Sequence, residues 1–184
     1  MLEEVFKNYD LIYRNILKNF YPSLGSTGFQ ERNLTVNFSK AFEKTYNDII
    51  TWFEFQFGDN KNKHFDAIII HNDNIYFIEA KRYSSPNRKK ESIYADINRI
   101  NDYVINNFNQ DERFKNYNIK NFYGVILADV WKETLGKKSI HKQYVDKLFF
   151  KELNLNNYEY NVIDFDDIED CKNYSLLSFV WNIK

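Results

Sequence analysis

At 184 residues the chain is long enough for one domain with a substantial core and too short for two full-sized ones. Its 43% hydrophobic and 28% charged residues exclude a disordered polyelectrolyte, and a formal net charge of −1 excludes a polycation. The single cysteine, Cys171, excludes an internal disulfide framework and fits a reducing compartment. Aromatic residues reach 18%, which predicts a core built largely of rings. No basic region followed by an apolar stretch opens the sequence, and no apolar run approaches the roughly 20 residues that span a bilayer. A cytoplasmic protein without membrane contact is therefore expected.

Residues 3–20 place Val5, Tyr9, Ile12, Ile16 and Phe20 at helical spacing, and the turn-forming segment 22–28 ends that helix. A second helix follows over about 30–48, with Leu34, Phe38, Phe42, Thr45 and Ile49 on one face. Three strands come next, at 50–57, 64–71 and 75–82, joined by connections short enough for antiparallel pairing. A helix over about 88–107 turns Ile93, Ile97, Ile100 and Val104 inward, and the apolar run 122–129 reads as a strand at the centre of a sheet. A further helix is expected at 139–151 and a further strand at 159–165, while the tail beyond Asp170 gives no clear signal. Together these elements predict a single α/β domain, residues 1–184, with a mixed β-sheet flanked by α-helices.

Three charges stand inside apolar strands: Asp66 in the second, Glu79 and Lys81 in the third. Charges buried in that way are costly unless paired or bound to a metal. Alternation puts Ile75, Phe77, Glu79 and Lys81 on one face of the third strand and Tyr76, Ile78 and Ala80 on the other. Asp66 lies across the Asn72-Asp73-Asn74 turn, where a hairpin brings it beside Glu79. Two carboxylates so placed suit Mg²⁺, or Mn²⁺ in its stead, with water and phosphate oxygens completing the shell. Lys81 could then orient or deprotonate an attacking water, or stabilise developing negative charge.

Other polar residues border this group. At about 100° per residue, Glu31 falls on the inward stripe of the second helix and Glu43 faces solvent. Glu31 also suits a first-turn acid that favours the helix dipole. Glu54 shares a strand face with Trp52 and Gln56, and His64 shares one with Asp66; both read first as ordinary strand polar residues near the acids. His64, His71, His141 and Cys171 have no structural-zinc spacing. The acidic run from Asp164 to Asp170 lacks the spacing of a calcium loop.

With an Asp on one strand, Glu79-Ala80-Lys81 on the next and a helix after it, residues 30–130 resemble the PD-(D/E)XK nuclease superfamily, the restriction-endonuclease-like fold. Asp66 matches the first acid and Glu79-Ala80-Lys81 the acid-X-lysine triplet; Glu31 resembles the acid many members carry on the helix before the sheet. Phe65 stands where the family name has Pro. The first helix and the C-terminal third read as additions to that core. The resemblance implies Mg²⁺-dependent hydrolysis of DNA phosphodiester bonds, with Asp66 and Glu79 as metal ligands and Glu31 and Lys81 completing the catalytic set. DNA is the partner so implied, and a homodimer is compatible with it.

Lys81, Arg82, Arg88, Lys89 and Lys90 form a basic run leaving the third strand, suited to phosphates, with Lys137, Lys138 and Lys142 as a second group. Two rivals stand beside the nuclease reading. One is a catalytically silent nucleic-acid-binding or protein-interaction module of the same fold. The other is a structural sheet in which Glu79 and Lys81 make a local ion pair.

Overall fold

Alternation along one nine-residue strand, Asn74–Arg82, divides the molecule into two cores. The computed structural model describes residues 2–19, 31–58, 63–82, 86–131, 155 and 157–184. Two helices come first, α1 (Glu3–Asn19) and α2 (Glu31–Thr45), then the strands β1 (Ile49–Gln56), β2 (His64–His71) and β3 (Asn74–Arg82). After α3 (Pro86–Asp102) come β4 (Asn121–Trp131), β5 (Tyr158–Asp164) and β6 (Tyr174–Asn182). The strands form one six-stranded sheet in the order β1-β2-β3-β4-β6-β5. Only β3 and β4 run parallel, with α3 between them in sequence; every other neighbouring pair is antiparallel. The sheet is mixed and the architecture α/β, as the order of elements predicts.

Tyr76, Ile78 and Ala80 of β3 pack with α1 and α2, through Tyr9, Leu34, Phe38 and Phe42. Ile75 and Phe77 pack on the other side with Ile93, Ile97, Ile100 and Val104, all four fully buried as their helical spacing requires. That side is dense in rings: Phe55, Phe65 and Tyr103 contact one another, and Phe77 contacts Phe65 and Tyr103. At its centre Trp181 of β6 lies across Gly124 of β4, and its indole N–H donates to Asn101 Oδ1 at 2.9 Å. A Cβ on Gly124 would overlap the Trp181 ring, so glycine is needed here for close approach.

Several boundaries differ from expectation for identifiable reasons. The buried stripe of α1 is Val5, Phe6, Tyr9, Tyr13 and Leu17, with Ile12 and Ile16 only partly buried, because the aromatic rings turn inward ahead of the isoleucines. α3 stops at Asp102, and residues 103–107 continue as one π-helical turn that keeps Tyr103 and Val104 buried. The unassigned tail contains β6, buried along almost its whole length. It pairs with both β4 and β5, so part of the C-terminal third is integral to the sheet. The helix expected at 139–151 lies outside the described residues. Among those described, no helix is long and apolar enough to cross a membrane.

Candidate metal centre

The site begins at an interruption in β1 and β2. Their ladder pairs Phe53 with Ala67 and Phe55 with Phe65, and omits the rung between Glu54 and Asp66. Glu54 has φ of 51°, a left-handed conformation that non-glycine residues seldom adopt. Both strands change face here. Thr51 meets Ser39 of α2 at 2.9 Å and Ala67 packs with the α1–α2 core, whereas Phe55, Phe57 and Phe65 join the α3 core. Strict alternation along β1 therefore fails at Glu54.

The β2–β3 ladder ends at Ala67 and Ile78, just before Asp66 would face Glu79. In place of a further rung, the backbone N–H of Ala80 donates to Asp66 Oδ2 at 2.7 Å. One strand residue beyond Lys81, the backbone N–H of Arg82 donates to Glu31 Oε1 at 2.8 Å. The first turn of α2 and the start of β2 are thus tied to the acid-X-lysine segment through its own peptide groups. Glu31 lies at the start of α2, half-buried, and Glu43 is exposed, as helical phase predicts.

Glu79 and Lys81 point toward α3 and find partners there. Arg99 bonds Glu79, whose side chain is only 3% exposed, and also approaches Asp96 Oδ1 at 2.8 Å. Lys81 Nζ lies 3.0 Å from Asp96 Oδ2. The result is a linked row, Glu79–Arg99–Asp96–Lys81, running between sheet and helix. Asp96 and Arg99 were not singled out from the sequence. Asp96 follows Ile93 by three and precedes Ile97 by one, so helical phase alone places it on the inward stripe.

Burial, then the nearby charge of Asp66, pushes the Glu79 carboxyl up to about 8, against the opposing pull of Arg99. Burial likewise raises Asp66, helped by Glu54 and Glu31 and resisted by the Ala80 N–H and by Lys81. For Lys81 burial acts to lower the pKa, but Asp96, Glu79 and Glu31 outweigh it and hold the ammonium above its ordinary range. Lys81 is therefore a persistent cation, better suited to electrostatic work than to accepting a proton.

Asp66 and Glu79 are close enough for the charge of one to act on the other, and their oxygen donors are of the kind a hard divalent cation takes, although Glu79 does not line the cleft beside Asp66. Arg99 supplies positive charge to Glu79 in its place. On the other side of Asp66, Glu54 Oε2 lies 3.1 Å from His64 Nε2, and the ligand atoms of Glu54, His64 and Asp66 lie within 4.8 Å of one another. A cleft of about 250 Å³ opens beside them, lined by Glu31, Arg32, Thr35, Phe53, Glu54 and Asp66. Glu54 and His64 thus join the acids more closely than their strand positions suggested.

The basic groups are less fully placed. Arg82 leaves β3 by the face opposite Lys81, its Nε 3.7 Å from buried Asp129. Arg88, Lys89 and Lys90 lie in the first turns of α3, their side chains outside the described set, and Lys137, Lys138 and Lys142 fall outside the described residues altogether. No family model, curated protein or solved structure matches this chain.

Proposed function

We propose that this chain is a Mg²⁺-dependent DNA nuclease with a restriction-endonuclease-like core, able to use Mn²⁺. The observation that carries the reading is the hydrogen bond from Ala80 N–H to Asp66, which fastens the acid of β2 between Glu79 and Lys81 of β3. Asp66 and Glu79 would hold the ion, with Glu31 nearby as a further acid. When bound, such an ion lowers the pKa of water and offsets charge on a phosphoryl group. Lys81, kept protonated by Asp96, would orient the attacking water and stabilise negative charge on the phosphate. Asp96 positions that ammonium, and Glu31 holds the backbone at Arg82 so that the segment bearing Lys81 stays in place.

One observation favours the silent-module alternative. Arg99 and Asp96 neutralise Glu79 and Lys81 within the chain, so the charges are satisfied without an ion. The deciding experiment is cleavage of linear, supercoiled and single-stranded DNA with Mg²⁺, Mn²⁺ or chelator. Cutting should need the metal and vanish in Lys81→Ala and Glu79→Ala while far-UV circular dichroism shows both folded. Full activity in Lys81→Ala sinks the mechanism, and metal-independent binding without cutting supports the module.

A further inference from the structure

The pairing of β1 with β2 carries a second set of donors around Asp66. We infer that Glu54, His64 and Asp66 form a separate divalent-cation position that prefers a transition ion such as Mn²⁺ to Mg²⁺. It shares Asp66 with the proposed nuclease site, yet it is a statement about binding and holds whether or not the chain cuts DNA.

The backbone explains why these three side chains meet. His64 and Asp66 alternate to one face of β2, and Glu54 stands opposite Asp66 where the ladder omits its rung. The left-handed turn at Glu54 aims its carboxylate across to His64, giving three donor atoms within 4.8 Å. Glu54 and His64 are exposed, so an ion could enter directly from solvent.

An independent observation comes from α2. Thr35 lines the cleft beside Glu54 and Asp66 and is 1% exposed, yet among the described residues its Oγ1 has no hydrogen-bond partner. A hydroxyl in that position is costly unless something polar reaches it. Water carried on an ion at the three donors would supply both a donor and an acceptor. The cleft also holds three carboxylates, Glu31, Glu54 and Asp66, against one guanidinium, Arg32.

Donor chemistry sets the preference. Mg²⁺ takes oxygen ligands and keeps most of its waters, whereas one imidazole with two carboxylates suits the first-row transition ions. Arg99, which answers Glu79 on the α3 side, pairs with neither Glu54 nor His64 among the described contacts.

The test uses the full chain and Mn²⁺ alone, followed by electron paramagnetic resonance with detection of nitrogen coupling. Wild type should bind Mn²⁺ with a coupled imidazole nitrogen. His64→Ala and His64→Gln should lose that coupling and bind about tenfold or more weakly, while Glu79→Ala keeps it. Mn²⁺ bound to wild type without nitrogen coupling, or with coupling that survives in both His64 variants, overturns the inference. Nitrogen-coupled Mn²⁺ in a protein that never cuts DNA leaves this site standing and removes the nuclease reading. Cutting without such coupling does the reverse.

Discussion

Arg99 reaches from α3 to hold the carboxylate of Glu79, the most deeply buried acid of the proposed metal pair. Above about pH 8, where Glu79 is ionised, substituting Arg99 strands a buried carboxylate, a loss tempered here because the Arg99 side chain is 35% exposed. Arg99→Ala should therefore destabilise the fold by about 1–3 kcal/mol in urea unfolding without metal above about pH 8. Saturating Mg²⁺ should restore more stability to this variant than it adds to wild type, because the ion replaces the lost positive charge. Equal Mg²⁺ effects on the two proteins would argue that no ion reaches Glu79.

The raised Glu79 carboxyl fixes the sign of a pH effect. Its folded value, about 8, lies above the ordinary 4.5, so in that interval the folded chain holds a proton the unfolded chain has released. Without metal, stability should fall as pH rises from about 5 to about 8 and then level off. Glu79→Gln should flatten this decline. Metal affinity in wild type should climb over the same interval, since the ligand must lose its proton first. Parallel stability curves for the two proteins would show that Glu79 is not the titrating group.

Glu31 allows a separation of charge from hydrogen bonding. Gln at this position keeps an oxygen to accept the Arg82 N–H, whereas Ala does not. Glu31→Gln should thus retain wild-type stability, and Glu31→Ala should lose about 1 kcal/mol or more. If cleavage survives in Glu31→Gln and drops in Glu31→Ala, the residue works by holding the backbone. Loss in both makes its negative charge part of the chemistry.

Gly124 tests the packing between β4 and β6. Gly124→Ala pushes a methyl group into the Trp181 ring and should cost about 1–3 kcal/mol, as overpacking generally does. Trp181→Leu should cost stability alone yet partly rescue Gly124→Ala, and a double-mutant cycle reads that coupling. Additive losses would show that the two residues do not constrain each other.

Much of the sheet was legible because short-range patterns dictate it. Strand alternation placed Glu79 and Lys81 with Phe77, and helical phase separated Glu31 from Glu43. Residues governed by distant partners were harder to read. Arg99 looks like a surface cation until α3 is laid on β3, and β6 carries no alternation because both its faces are buried. Glu54 departs from the simple pattern for a local reason: alternation assumes extended backbone, and its positive φ turns the strand over.

The placement of β6 has a consequence for the order of assembly. β5 is made before β6, its only sheet neighbour among the described residues, and β6 in turn joins β5 to β4. Chain order and sheet order are therefore reversed across this part of the fold. Residues 158–164 and 174–182 can close on each other as a local hairpin, whereas docking that hairpin on residues 121–131 is the longer-range closure, the kind that slows folding.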